Sequence, residues 1–265
     1  MNVFIPDGRI DQFILEDMPY IDLTTEVLGI GEEPGEIEYF TREDCVLTGV
    51  EEAARVLGKT GARVVWSRRS GERLVAGEPF LRAEGTAAAL HMAWKVSLNL
   101  CDHLSGVATR TRAIVDAAHS ANPACEVLTT RKSMPGVKDL LTKAVTCGGA
   151  FPHRLGASET VLVFDHHITF MGGFEAFVEA GPDEARRLAK AGVDGIQLDK
   201  MPVDDLAALV PELRAIDPHL TLIAAGGINL QNAAAYAATG VDGLATTAPF
   251  TAKPIDMSVR MKRAE

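Results

Sequence analysis

The chain has 265 residues, of which 47% are apolar and 23% charged, and its 26 basic and 36 acidic side chains give a formal net charge of −10. A chain of this length and composition buries a full hydrophobic core as one large or two modest domains, which excludes an intrinsically disordered protein and a coiled coil. The acidic balance also excludes a protein that coats nucleic acid or an anionic membrane, since both ligands call for a basic surface.

The cysteines and the N-terminal residues indicate in which cellular compartment the protein is located. No two of the four cysteines form a C-x-x-C pair, so neither a disulfide framework nor a cysteine zinc site is indicated. The first residues carry acidic side chains where a signal peptide carries basic ones, and no apolar run approaches the roughly 18 residues that a membrane span requires. We therefore expect a soluble, cytoplasmic protein with no membrane partner.

The first hundred residues are predicted to mix helices and strands. A short helix ends near Glu16 and Asp17, and a second helix covers residues 49–57. Strand-like segments lie at residues 36–40, 63–67 and 79–83. This pattern predicts an α+β layer.

A longer helix is predicted from about Thr86, because apolar residues then recur at helical spacing. They are Leu90, Ala93, Trp94, Leu98, Cys101 and Leu104. Ser105 and Gly106 are expected to end this helix, and a second helix is expected to follow through Ala118.

Beyond the helices, short apolar runs alternate with helical segments. The runs are residues 127–129, 161–164, 195–198, 220–224 and 243–245. The helices between them are expected to open at Pro135 and at Pro182, and to span residues 202–216 and 230–238. Strands that recur every 25 to 35 residues with helices between them indicate parallel βαβ units, and therefore a parallel barrel or part of one.

Polar clusters follow most of the predicted strands. They are Thr130-Arg131-Lys132, Asp165-His166-His167, Asp199-Lys200, Ala225-Gly226-Gly227 and Thr246-Thr247. Parallel barrels carry their chemistry at the carboxyl ends of the strands. The sequence therefore predicts one active site, at one edge of the barrel.

The segment around Gly226 and Gly227 is a candidate phosphate cradle. A strand that passes through two glycines into a helix presents bare backbone N–H groups and a positive helix end to an anion. A tight turn with positive φ uses two glycines equally well. The phosphate reading is favoured because the glycines follow the second-last strand and Thr246 and Thr247 follow the last, where barrels commonly hold a phosphate.

Two basic pairs, Arg131-Lys132 and His153-Arg154, point to a substrate with more than one anionic group. An arginine grips a carboxylate through two hydrogen bonds, and a lysine offers a point charge to a phosphate. Between residues 86 and 160 there are eight basic and five acidic side chains, in a chain that is acidic as a whole. A pocket for a small polyanion and ordinary surface ion pairs both remain open as explanations.

Asp199, at the end of a strand, is a candidate ligand for a metal ion or a sugar hydroxyl, and Glu179 is a candidate partner. With a diphosphate substrate, Mg²⁺ held by one or two carboxylates and by the phosphates is the expected arrangement. Capping of the following helix is the alternative for Asp199. His166 and His167 suggest a metallohydrolase less strongly, because neighbours on an extended segment face opposite ways.

Taken in order, the motifs resemble the nicotinate-nucleotide pyrophosphorylase (carboxylating), or quinolinate phosphoribosyltransferase, family. The residues that carry the resemblance are Glu16-Asp17, Asp22, Thr24-Thr25, Leu98-Asn99, residues 104–109, 129–136 and 143–145, Gly148-Gly149, His153-Arg154, Leu198-Asp199, residues 226–229 and 236–243. They span nearly the whole chain.

The resemblance implies an N-terminal α/β sandwich and an open, incomplete parallel α/β barrel, the type II phosphoribosyltransferase fold. We place the sandwich at residues 1–104 and the barrel at residues 105–251, with the tail 252–265 a candidate to rejoin the sandwich. The family reaction joins quinolinate to phosphoribosyl pyrophosphate with Mg²⁺ and releases pyrophosphate and CO₂ to give nicotinate mononucleotide. The resemblance also implies a homodimer with shared active sites, with a higher oligomer of dimers also open.

The resemblance implies a role for each site residue. Lys132, Glu179 and Asp199 are the catalytic candidates, with Glu179 and Asp199 also holding the metal. Lys95, Arg131, His153 and Arg154 are the candidates for the acceptor's carboxylates. Ala225, Gly226, Gly227, Thr246, Thr247 and Ala248 are the candidates for the 5′-phosphate.

Several positions depart from the family pattern. Lys95 stands where the family carries arginine and Phe164 where it carries lysine, so two cations for quinolinate are altered. The other departures are Lys200 for asparagine, Ala225 for serine and Ala248 for glycine. The segment 197–200 in particular resembles the ModD branch, which is associated with molybdate transport.

We expect a phosphoribosyltransferase of this family, ModD-like, that uses phosphoribosyl pyrophosphate and a small anionic acceptor. The alternative is a non-catalytic protein, accessory to molybdate transport, that binds an oxyanion or a nucleotide. Metal-dependent consumption of phosphoribosyl pyrophosphate distinguishes the two.

Overall fold

The computed structural model describes residues 3–159, 167, 170 and 181–264. The chain divides into two compact units. The first contains residues 1–109, 134–148 and 251–265, and the second contains residues 110–133 and 149–250. The segment 134–148, which the sequence division had placed in the barrel domain, therefore clusters with the first unit.

The described elements, in chain order, are as follows. The first part contains α1 (Asp7–Asp17), α2 (Leu23–Leu28), β1 (Pro34–Thr41), β2 (Cys45–Val46), α3 (Val50–Lys59), β3 (Arg63–Ser67), β4 (Arg73–Leu74), β5 (Pro79–Thr86) and α4 (Ala87–Ala121). Then come β6 (Glu126–Thr129), α5 (Lys138–Cys147), β7 (Phe151–Pro152), α6 (Pro182–Lys190), β8 (Gly195–Asp199), α7 (Val203–Ile216), β9 (Thr221–Ala225), α8 (Ala233–Ala237), β10 (Gly243–Thr246), a 3₁₀ turn (Ala248–Thr251) and β11 (Met257–Arg263).

The first unit is built on a four-stranded antiparallel sheet with the order β11-β1-β5-β3. Along β1 the buried residues are Ile37, Tyr39 and Thr41. This alternation places one face of the strand in the core. The ring of Tyr39 lies 6.0 Å from that of Phe80 on β5, centroid to centroid. The sequence predicted β1, β3 and β5 of this sheet, but it did not predict β11 as a strand.

Helix α4 corrects a prediction, because it runs without a break through Ser105 and Gly106, where the sequence suggested an end. A Cβ on Gly106 would lie 2.1 Å from the carbonyl oxygen of Lys253. The glycine therefore allows the C-terminal segment to approach the helix backbone, and it does not end the helix. Near this contact Ile255 N donates a hydrogen bond to Asp102 O at 3.0 Å, and β11 pairs with β1.

The second unit contains a parallel sheet with the order β7-β6-β10-β9-β8. Its last strand, β10, pairs with its first, β6, in the register Thr246 opposite Thr129. The predicted strand at residues 161–164 lies outside the described residues. The sheet packs on α7 and its neighbours through a core that includes Leu198, Leu206, Leu209 and Leu222. In an α/β barrel, neighbouring strands follow one another in chain order and the last strand pairs with the first. The pairing of β10 with β6 is therefore typical of this fold.

Helix starts in the second half follow the predicted proline signals only in part. Helix α6 begins at Pro182, and α7 begins directly after Pro202. Helix α5 begins at Lys138, not at Pro135, because Gly136 has φ +89°, which a right-handed helix excludes. Within the described residues no helix is both long and apolar enough to cross a membrane.

Replacing Gly106 by alanine tests the close approach of the C-terminal segment. We expect Gly106→Ala to lower the free energy of unfolding by about 1–3 kcal/mol, because the backbone around Lys253 must move. Gly58→Ala is the matched control: Gly58 lies in α3 with no atom near its Cβ position. That control should gain about 0.5–1 kcal/mol from helix propensity. Urea denaturation measures both, and equal stabilisation by the two substitutions would contradict this packing.

Candidate active site

The carboxyl ends of the five parallel strands lie side by side at one edge of the second unit. Backbone hydrogen bonds between neighbouring strands continue past the strand ends. They therefore keep the residues that follow the strands next to one another. Thr130 N donates to Thr246 O at 3.0 Å, His153 N to Thr129 O at 2.9 Å and Lys200 N to Ala225 O at 2.7 Å. The polar clusters predicted from the sequence after β6, β8, β9 and β10 thus share one edge, and His153-Arg154 joins them after β7.

Gly226 and Gly227 form a turn after β9 with φ values of +91° and +75°. A Cβ on Gly226 would lie 2.7 Å from Lys200 N and 3.0 Å from Asp199 Oδ1, so Gly226 also lets β8 approach the turn. A Cβ on Gly227 would meet no atom within 4 Å. The first glycine is therefore required by packing and conformation, and the second faces open space.

Two asparagines fix the orientation of this turn. The side-chain Nδ2 atoms of Asn229 and Asn232 each donate to Gly227 O at 3.1 Å, and Asn229 N donates to Asn232 Oδ1 at 2.8 Å. In the described part of the chain, the N–H groups of Gly226 and Gly227 have no hydrogen-bond acceptor. Preorganised N–H groups of this kind bind anions such as phosphate.

The helix predicted at residues 230–238 is shorter than expected, and its part in the cradle stays a prediction. Helix α8 begins only at Ala233 and has five residues, because the side chains of Asn229 and Asn232 make a turn instead of the first helical residues. The turn itself offers the N–H groups to an anion. The role of Asn232 was missed from the sequence, although an Asn-x-x-Asn spacing after two glycines is a turn signal.

The threonines after β10 and β6 differ in availability. Thr246 is buried, and its hydroxyl donates to Ile228 O at 2.6 Å and accepts from Ala248 N at 3.0 Å, so it braces the turn. Thr247 and Thr130 pair through their hydroxyl oxygens at 2.9 Å and are only half-buried. Of these hydroxyl groups, those of Thr130 and Thr247 are the ones that can reach a ligand.

The basic residues of this edge fall into two environments. Arg131 and Lys132 follow β6 and are exposed, whereas Arg154, after β7, is only 8% exposed. Burial lowers the pKa of the His153 imidazole below its ordinary value, and the neighbouring Arg154 guanidinium lowers it further. His153 is therefore neutral at pH 7, and it can both donate and accept a hydrogen bond.

Asp199 is the carboxylate that β8 brings to the edge, and its side chain is 17% exposed. In the part of the chain that the structure describes, no three His, Cys, Asp or Glu side chains gather as a metal cluster. Asp199 nevertheless suits Mg²⁺, which commonly takes one or two carboxylates together with substrate phosphates. Glu179, its predicted partner, lies outside the described residues.

Lys200 is the unusual backbone position of the edge. Its φ of +53° makes it the one non-glycine residue with positive φ among those that the structure describes. This left-handed conformation costs an L-residue about 1–2 kcal/mol, less for asparagine, and such strain concentrates at functional sites. The sequence shows the lysine, but no local signal predicts its conformation.

The remaining predicted residues belong to the first unit or lie outside the described residues. Lys95 lies on α4 in the first unit, is exposed, and places its Nζ 5.4 Å from the ring centroid of Trp94. Phe164, Asp165 and His166 lie outside the described residues.

Comparison with known proteins identifies relatives over both parts of the chain. The family profile of the quinolinate phosphoribosyl transferase C-terminal domain matches residues 107–260. The profile of the N-terminal domain of the same family matches residues 22–105. The two matches follow each other along the chain and leave only the ends unmatched.

Individual proteins agree with these profiles. The chain is 39% identical to pyrophosphorylase ModD of Rhodobacter capsulatus over 248 residues, which cover 87% of this chain and 95% of the relative. It is 34% identical to the nicotinate-nucleotide pyrophosphorylase (carboxylating) of Mycobacterium leprae over 253 residues, or 88% of each chain. The crystal structure of NadC from Streptococcus pyogenes has the same fold, with a TM-score of 0.89, 24% identity and full coverage of both chains.

The strain at Lys200 is measurable as stability. We expect Lys200→Asn to raise the free energy of unfolding by about 0.5–1 kcal/mol, because asparagine adopts the left-handed conformation at lower cost. The control Lys190→Asn removes the same charge from the last turn of α6. It should lower the free energy of unfolding by roughly a few tenths of a kcal/mol, because asparagine favours the helix less than lysine. Urea denaturation compares them. Destabilisation by Lys200→Asn would show that the side chain, not the backbone, determines the energy of this position.

Proposed function

This chain belongs to the quinolinate phosphoribosyltransferase family, and from that premise we propose that it transfers the phosphoribosyl group of phosphoribosyl pyrophosphate to a pyridine carboxylate or a related small anionic acceptor. The observation that carries the proposal is the edge of the second unit. There a backbone cradle, a set of cations and the carboxylate of Asp199 follow neighbouring parallel strands. A phosphorylated sugar needs all three.

The glycine turn and the threonine pair hold the 5′-phosphate of the donor in this proposal. A Cβ on Gly227 would meet no atom within 4 Å, so the turn is open there, and Thr247 follows β10, the strand next to β9. Ala225 ends β9, and the N–H of Ala248 is bound to Thr246 Oγ1. These two residues therefore act by shaping the turn.

Transfer proceeds by a dissociative displacement at the anomeric carbon of ribose. Asp199 stabilises the positive charge that develops on the sugar, because an anion placed beforehand gains most from charge that appears only in the transition state. Lys132, which is exposed and follows Thr130 at this edge, neutralises charge on the departing pyrophosphate. Mg²⁺ held by Asp199 and Glu179, when bound, supplies further charge neutralisation to that leaving group.

The acceptor's carboxylate lies against Arg131, His153 and Arg154. Buried Arg154 adds positive charge at this position, and neutral His153 donates a hydrogen bond without adding charge. The acceptor is therefore a small ring acid held at the β6 and β7 end of the edge, with the phosphoribosyl group at the β8 to β10 end.

We propose a homodimer in which the partner subunit's Lys95 completes this acceptor site. An exposed apolar surface on and before α2 supports an interface. It is formed by Tyr20, Ile21, Leu23, Val27 and Leu28, all at least 60% exposed. Contiguous apolar exposure of this kind is typical of protein contact surfaces.

The cellular setting is part of the proposal. All four cysteines are free thiols, which suits a reducing cytoplasm. The likeness to ModD proteins suggests a link to molybdate transport. A non-catalytic oxyanion- or nucleotide-binding protein is the second candidate, and the loss of a lysine at Phe164 favours it.

Turnover of the donor tests the proposal. Purified protein should consume phosphoribosyl pyrophosphate in the presence of Mg²⁺ and an acceptor, with quinolinate, nicotinate and molybdate compared by calorimetry. Asp199→Asn should lower kcat by about 100-fold or more, because the developing sugar cation loses its counter-charge. The exposed Lys190→Gln is the control and should leave kcat unchanged. Anion binding without any consumption of the donor would favour the non-catalytic candidate.

The acceptor site allows a gain-of-function prediction. Phe164 in place of lysine removes a cation worth about 2–5 kcal/mol to a buried carboxylate, so quinolinate turnover should be weak. Phe164→Lys with Lys95→Arg should raise kcat/KM for quinolinate at least about tenfold, measured by formation of nicotinate mononucleotide. A wild-type protein that already turns over quinolinate at an ordinary enzymatic rate would contradict this charge argument.

A further inference from the structure

The side chain of Lys200 is directed by the backbone around it. Its N–H continues the hydrogen bonding between β8 and β9, which fixes the residue in its left-handed conformation. The Cγ of Lys200 lies 2.6 Å from where a Cβ on Gly226 would stand. The lysine stem therefore lies over the bare backbone of Gly226, along the same turn that presents the N–H groups.

The ammonium group at the end of this stem is weakly held. Lys200 Nζ lies 3.8 Å from Asp199 Oδ2, at the outer limit of an ion pair, and the lysine side chain is 82% exposed. An exposed pair at this distance contributes little to stability, so the ammonium leaves the carboxylate at low cost. The pyrophosphate of the donor, which the proposed function places beside Asp199, would offer it a stronger partner, because a lysine ammonium binds phosphate as a point charge.

We propose that Lys200 is a resident cation of the donor site. Its ammonium balances Asp199 when no donor is bound and moves to the pyrophosphate of phosphoribosyl pyrophosphate when the donor enters. The donor then binds with a reduced requirement for Mg²⁺, since part of the charge that the metal neutralises is already met. This inference rests on the proposed function and adds a donor-binding residue to it.

The strained backbone distinguishes this role from a structural one. A lysine kept only for the ion pair with Asp199 would stabilise the fold, and its removal would weaken stability and binding together. A lysine that serves donor binding instead imposes the cost of its left-handed backbone on the fold. Its replacement therefore weakens donor binding, while the stability of the fold is retained or rises.

Isothermal titration calorimetry of phosphoribosyl pyrophosphate, over a series of Mg²⁺ concentrations that includes EDTA alone, tests the inference. The variants are Lys200→Gln, which removes the charge and keeps the length, Lys200→Asn, which also suits the backbone, and Lys200→Arg, which keeps the charge. The exposed Lys190→Gln removes a lysine from the last turn of α6 as the matched control. Thermal unfolding of each variant confirms that it is folded.

We expect Lys200→Gln and Lys200→Asn to bind the donor about tenfold more weakly than wild type in EDTA, and less than about threefold more weakly at saturating Mg²⁺. Lys200→Arg and Lys190→Gln should follow the wild type at every Mg²⁺ concentration. The Mg²⁺ concentration for half-maximal donor affinity should rise in the two neutral variants.

Two different outcomes would overturn the ideas separately. If the wild type binds the donor and both neutral variants show the same Mg²⁺ dependence, the inference about Lys200 is wrong and the proposed function stands. If the wild type binds no phosphoribosyl pyrophosphate at any Mg²⁺ concentration, the proposed function fails, and the inference fails with it.

Discussion

The pairing of β10 with β6 is the constraint on which the candidate site depends. It joins the last strand of the second unit to the first, so residues more than 100 positions apart end at the same edge. Thr130 and Thr247 meet there through their hydroxyl groups, and the backbone ladder continues beyond both strands. Without this pairing the cations after β6 and the glycine turn after β9 would not lie at the same edge.

Much of this arrangement follows from local sequence signals. Alternating apolar residues indicate β1, and short apolar runs at regular spacing indicate the parallel strands, because burial is decided by patterns a few residues long. Position along the chain then places Lys132, Asp199 and Gly226 at one edge. The features that the sequence alone does not show are those that depend on contacts with residues distant in the chain. Gly106 looks like a helix end until the backbone of Lys253 lies against it. The left-handed conformation of Lys200 arises from its bond to Ala225, which no window of sequence around residue 200 contains.

The cations of the site differ from the family pattern in a consistent way. A lysine is absent at Phe164 and one is present at Lys200, which in the proposed site weakens positive charge on the acceptor side and adds it beside the donor's phosphates. Such an exchange keeps the charge available to a polyanion while it changes which part of the ligand is gripped. Selectivity among acceptors depends on charges placed against particular carboxylates, whereas affinity for the phosphoribosyl group depends on the turn and its neighbours.

The first unit is assembled from three separate stretches of chain, and its sheet includes β11 at the C-terminus paired with β1 near the N-terminus. During synthesis on the ribosome, β1 therefore emerges long before the strand that covers its edge. An uncovered edge strand is a template for pairing with other chains. Completion of the first unit has to wait until β11 has been synthesised, while the described strands of the second unit, at residues 126–246, are made earlier. Premature termination before β11 would thus leave the strands of the second unit intact and the sheet of the first unit open to aggregation.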